Sequence, residues 1–120
     1  MVRVRIARHT DRLAEVAAWY RQRLGLPQTG GFEDHAGYDG VFLELPGGQA
    51  ELELTTGGDI AAPAPHPESL LVLYGADEEE RAARAARIGQ QPVTPANPYW
   101  ARHGIAFADP DGFQVILALR

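Results

Sequence analysis

The chain has 120 residues, enough for one hydrophobic core and too few for two independent ones, so any internal repeat is expected to share a core. Apolar residues make up 45% and charged residues 22%, which excludes a disordered chain, and the absence of cysteine excludes a disulfide framework, a thiolate metal site and a cysteine nucleophile. The net charge is −5 and all eleven basic residues are arginine, with no basic run longer than Arg3-Val4-Arg5; this argues against nucleic acid and anionic membrane as partners and for a small molecule.

Met1 to Thr10 alternates arginine with apolar residues and offers no continuous apolar stretch for a signal peptide or a spanning helix, so the expected location is the cytoplasm. Within it Val2, Val4 and Ile6 share one side of a first strand, with Arg3 and Arg5 on the other. Thr10 or Asp11 can cap a helix whose stripe is Leu13, Val16, Ala17, Tyr20 and Leu24, with Gly25 and Pro27 as the stop. Trp19 and Tyr20 belong to that helix and are expected to pack in the core. A weak strand near residues 29–33, a loop from His35 to Gly40 and a hairpin over residues 40–54 complete a first module of about residues 1–56.

Residues 57–67, rich in Gly, Ala and Pro, read as a linker. The second module, about residues 68–120, repeats the order. Leu70 to Tyr74 is an apolar strand, and Asp77-Glu78-Glu79-Glu80 opens a helix that Gly89 ends, sixty-four residues after Gly25. A short strand at Pro92–Thr94 and a loop from Pro95 to Trp100 lead into a second hairpin around Asp109-Pro110-Asp111-Gly112. Pro46 and Gly48 of the first hairpin stand sixty-four residues before Pro110 and Gly112, so the fold class is α+β with two tandem βαβββ modules.

With Gly-Ile-Ala-Phe-x-Asp-Pro-Asp-Gly in the second of two such modules, the chain resembles the vicinal oxygen chelate superfamily over nearly its whole length. That superfamily includes glyoxalase I, extradiol dioxygenases, fosfomycin-modifying enzymes and bleomycin-resistance proteins. His35-x-Gly37-Tyr38-Asp39-Gly40 and Asn97-Pro98-Tyr99-Trp100 are similar to motifs of a small bacterial branch of it. The resemblance implies a curved mixed sheet around a cup holding a small ligand, and often a homodimer. It also implies a divalent metal held by four strand residues in the metal-dependent members. Only Glu53, in Leu52-Glu53-Leu54-Thr55, stands at such a position. The others fall at Val4 or Arg5, near Ser69 or Leu70, and at Ile116, which supply no equivalent donors. His9, His35, His66 and His103 lack the spacing of a metal site. No resident cofactor is expected, with a divalent metal at a displaced site as the alternative, since most ligand positions are lost.

The candidate catalytic residues are His35, whose imidazole can act as a general base, and Glu53. Candidate ligand-binding residues are Arg5, His35, Tyr38, Asp39, Glu53, Asn97, Tyr99 and Trp100, which combine aromatic rings with a few polar groups. Strand alternation puts Arg5 and Glu53 on corresponding sides, and the two are expected to pair inside the cup, with Glu51 in solvent. Ser69, the single serine, lacks a nucleophile elbow, and Gly47-Gly48 lacks a phosphate-loop continuation, so hydrolase and NTPase readings fall away. The expected function is binding of a small organic compound without a metal. The alternative is a metal-dependent or metal-free lyase, isomerase or dioxygenase-like enzyme using the same cup.

Overall fold

The computed structural model describes residues 1–120 and divides into two compact units, Met1–Ala64 and Pro65–Arg120. No helix is long and apolar enough to cross a membrane.

In the first unit four strands, β1 (Val4–His9), β2 (Gln28–His35), β3 (Tyr38–Glu44) and β4 (Ala50–Gly57), form a sheet in the order β1-β4-β3-β2. β1 runs parallel to β4 and the other pairs are antiparallel. Between β1 and β2 runs a helix, α1 (Leu13–Ala18), that widens into a π-helical turn over Trp19–Arg23. Alternation gives the sheet two unlike sides. Leu43, Leu52 and Leu54 are buried on the side facing the helix, where the Arg8 guanidinium carbon lies 5.8 Å from the centre of the Tyr20 ring. Val16, Tyr20 and Leu24 are buried with them, each such side chain contributing about 1.5–3 kcal/mol of burial. On β1, however, the apolar row extends past the helix, and Val4 and Ile6 remain 50% and 55% exposed.

Local signals explain the departures from expectation in this unit. The position before α1 is Arg12, whose side chain makes no cap; the buried Thr10 hydroxyl accepts from Arg12 N–H instead (3.0 Å), and Thr10 N–H donates to Thr55 O (2.8 Å). The expected loop from His35 to Gly40 is a tight hairpin, with only Ala36 (φ 52°) and Gly37 (φ 87°) outside the strands, as a twisted two-residue turn requires. At Gly40 a β-carbon would stand 2.5 Å from the Phe32 ring, so no larger residue fits there without displacing the ring.

The second unit holds β5 (Leu70–Gly75), β6 (Gly104–Ala108) and β7 (Gln114–Leu119) in the order β5-β7-β6, with β5 parallel to β7. α2 (Glu78–Ile88) starts as its sequence predicts: Asp77 Oδ1 accepts from Glu80 N–H (2.8 Å), and Gly89 closes the helix in the left-handed region (φ 63°). The expected strand at Pro92–Thr94 is reduced to one bridge, Val93 to Ala106, because Pro92 and Pro95 have no N–H to extend a ladder. The expected loop from Pro95 to Trp100 instead enters a short helix, α3 (Pro98–His103), with Asn97 Oδ1 accepting from Tyr99 N–H (2.9 Å) and Pro98 in the first turn. Ala106, Ile116 and Ala118 form a buried cluster on the sheet, packed by Leu70, Val72, Val93 and Trp100.

The two hairpins match, but with a one-residue slip. Leu43 stands opposite Leu52. Phe107, sixty-four residues beyond Leu43, stands opposite Val115, which is only sixty-three beyond Leu52. All four are buried, so the slip keeps the core side in the core, and it makes Ile116 the counterpart of Glu53. The second turn is tied by Asp109, a buried carboxylate whose Oδ1 accepts from the N–H groups of Asp111 (2.9 Å) and Phe113 (3.1 Å).

Candidate functional site

The polar residues of the first unit gather on the side of its sheet away from α1, in rows set by strand register. Arg5 lies level with Glu51 and Glu44, Ala7 with Glu53 and Phe42, and His9 with Thr55 and Gly40. Tyr38 follows on β3, level with Gly57.

Arg5 and Glu53 share this side, as alternation predicts, but they do not pair. Arg5 Nε donates to Glu51 Oε1 (2.8 Å), a second guanidinium nitrogen lies 2.6 Å from the same oxygen, and the guanidinium carbon sits 4.2 Å from the centre of the Phe42 ring. Arg3 adds a weaker contact to Glu51 at 3.9 Å. The expectation that Glu51 faces solvent is corrected: its side chain is only 14% exposed, against 48% for Arg5. The reason is register. Glu51, not Glu53, is the residue level with Arg5, and a parallel ladder holds level side chains nearest one another.

Glu53 is half-buried and makes no hydrogen bond or ion pair. Its neighbour on β1 is Ala7, whose side chain ends at Cβ and is exposed, so the space between the Arg5 and His9 rows is open beside the carboxylate. His9 closes the far side. Its Nδ1 shares a hydrogen bond with Thr55 Oγ1 (2.8 Å), and its ring meets the Tyr38 ring edge-on at 6.0 Å. His9, set aside in the sequence as a metal ligand and not among the ligand-binding candidates, continues the Arg5-x-Ala7-x-His9 alternation onto the polar side of β1.

His35 is exposed at the hairpin tip, with its ring 6.1 Å from that of Phe32. Asp39 is also exposed and its Oδ1 accepts from Asp34 N–H (2.8 Å), which ties the hairpin at a residue held at φ 46°. Of the loop candidates, only Tyr38 reaches the His9–Thr55 row.

Asn97, Tyr99 and Trp100 lie in the second unit. The Asn97 side-chain oxygen is engaged in capping α3, and Trp100 packs on the Ala106–Ile116–Ala118 cluster. Tyr99 is 58% exposed, with its ring 4.9 Å from Trp100 and 4.7 Å from His103.

The residues at the metal-ligand positions of the superfamily do not fit a cation. Val4 and Leu70 are hydrocarbon, Arg5 is a cation already held by Glu51, and Ile116 is fully buried in an apolar cluster. No three His, Asp or Glu side chains converge into a group that could hold a metal ion.

Residues 4–55 match the YycE-like N-terminal domain family and residues 68–118 the YycE-like C-terminal domain family. The uncharacterised protein YycE of Bacillus subtilis (strain 168) is 42% identical over 117 residues, covering 94% of this chain and 84% of that protein. A crystal structure of a YycE protein of unknown function from Bacillus subtilis superposes with a TM-score of 0.89 at 40% identity, over 98% of this chain and 89% of that one. Among more distant structures, a glyoxylase/bleomycin resistance protein/dioxygenase domain from Frankia sp. EAN1pec gives a TM-score of 0.71 at 16% identity, covering 99% of this chain and 97% of that one. TnmS3, an antibiotic binding protein from Streptomyces sp. CB03234, gives 0.70 at 19% identity, covering 99% and 96%. Likeness at that level of identity concerns the fold. With its residues 4–55 and 68–118 matched in order by the two YycE-like domains and 42% identity to YycE over 94% of its length, the chain belongs to the YycE-like family and carries the glyoxalase/bleomycin-resistance/dioxygenase fold.

Proposed function

We propose that this protein binds a small organic compound against the polar side of its first sheet, and does so without the superfamily's metal ion. The observation that carries the reading is the half-buried, unpartnered Glu53, set beside open space at Ala7 and bounded by an arginine held in place and a histidine held in place. Polar groups fixed by neighbours, with aromatic rings around them, suit recognition of an organic molecule. The antibiotic-binding description of TnmS3 supports this class of function by analogy of fold. Under this reading the protein works in the cytoplasm as a homodimer, with no cofactor and no nucleic-acid or membrane partner. Calorimetry or thermal-shift screening of organic libraries with chelator present tests it: a compound that stabilises the chelated protein is expected, and stabilisation that appears only after divalent metal is added overturns it.

A second reading, proton-transfer catalysis by a lyase or isomerase, is favoured by one observation. His9 has Nδ1 tied to Thr55, no hydrogen bond reaches Nε2, and Glu53 lies one row away. A compound consumed by the wild type but merely bound by His9→Gln would favour it.

A further inference from the structure

We propose that the compound held on this face carries a protonated nitrogen, such as an ammonium or amidinium group on an aromatic body, and that Glu53 is its counter-charge. The inference rests on the small-molecule reading above and adds the charge of the ligand.

The charges on the face are unevenly distributed. Arg3 and Arg5 both converge on Glu51, so the available positive charge is concentrated on one carboxylate. Glu53, two residues further along β4 on the same side, has no cation within ion-pair distance and no hydrogen-bond donor. A half-buried carboxylate left in that state loses hydration without a charge-assisted bond in return, and a cation entering the open space at Ala7 would supply one. An anion entering the same space would meet Glu53 as a like charge.

Arg5 shows the arrangement such a ligand would complete. Its guanidinium lies between a carboxylate, Glu51 at 2.6 Å, and an aromatic ring, Phe42 at 4.2 Å. Phe42, which Arg5 covers, stands level with Glu53 on β3, and on the opposite side of Glu53 the His9 ring, held by Thr55 and set edge-on to Tyr38, supplies a second flat neighbour beside a carboxylate that has no cation of its own. Ala7 is the residue that leaves room, since any longer side chain on β1 at this level would fill the space.

The test is an NMR titration of the intact protein with three probes of one shape and different charge: 2-phenylethylammonium, 2-phenylethanol and phenylacetate. The ammonium probe is expected to shift amides of β1 and β4 and to bind tighter than both others by about tenfold or more. Glu53→Gln is expected to abolish that preference. Ala7→Leu is expected to abolish binding of all three, and Glu79→Gln on α2 to change nothing, with melting curves confirming that each variant is folded. If phenylethanol or phenylacetate binds as tightly as the amine, or the preference survives Glu53→Gln, the charge assignment is overturned while the binding reading stands. If no probe shifts this face, both fall.

Discussion

Glu51 has two guanidinium groups within reach and Glu53 has none, although both point from the same side of β4. Their difference originates in pairing, since Arg5 is level with Glu51 and Ala7 with Glu53. The Arg5–Glu51 contact is short and made through two guanidinium nitrogens, but Arg5 is about half exposed, so water screens much of the attraction. A double-mutant cycle with Arg5→Met and Glu51→Gln, read by urea denaturation, should therefore give a coupling of about 0.5–1 kcal/mol, well under the 3–5 kcal/mol lost when a buried pair is broken. The corresponding cycle with Glu53→Gln should be additive to within about 0.3–0.5 kcal/mol. Period-two alternation makes the shared face of Arg5, Glu51 and Glu53 legible in the amino-acid sequence. It leaves the partner open, because a two-residue shift in register keeps the face and exchanges one glutamate for the other.

At the scale of elements, the features written in local chemistry are legible and those decided by pairing are not. α2 carries its own start and stop in Asp77, Glu80 and Gly89, and forms where those residues predict. α3 carries comparable signals in Asn97 and Pro98, yet three prolines within seven residues disguise them as a loop. The strand expected at Pro92–Thr94 fails for lack of donors, while the second hairpin is readable because its turn contains its own ties. Asp109 is buried and its Oδ1 serves two backbone N–H groups, so Asp109→Ala should leave both unsatisfied and lower stability by about 2–3 kcal/mol, measured as a shift in the denaturant midpoint without change in slope. Ile116 belongs to the same hairpin and occupies the place that Glu53 occupies in the first unit. Restoring a metal-ligand carboxylate there by Ile116→Glu should cost about 4 kcal/mol or more, because the new side chain would be buried among Ala106, Ala118, Val72 and Trp100. Chelator-resistant gain of stability from added divalent metal in that variant would show that the apolar cluster yields to the ligand geometry.

For the whole molecule, two of the large apolar residues that the first unit leaves uncovered stand on one strand, β1. Val4 is 50% and Ile6 55% exposed on the same side of β1, and Val2, just before the strand, is 83% exposed. β1 is also an edge of its sheet within that unit, so an apolar row and unpaired backbone groups occur together. Two adjacent branched side chains on one side of an edge strand, with Val2 exposed beside them, are more than the scattered single exposure expected of a monomer surface, and a two-fold axis would let the row on one copy cover the row on another. Covering Val4 and Ile6 on both copies would recover about 1 kcal/mol or more for each side chain, a substantial part of what a micromolar dimer requires once the loss of rotational and translational freedom is met. Light scattering at micromolar concentration should accordingly return twice the 13.1 kDa chain mass for the wild type. Ile6→Arg should return the single mass with an unchanged fold by circular dichroism, because a charge set into the row would face its own copy across the axis. A wild type that scatters at the single mass throughout that range would leave the exposed row on β1 without this partner.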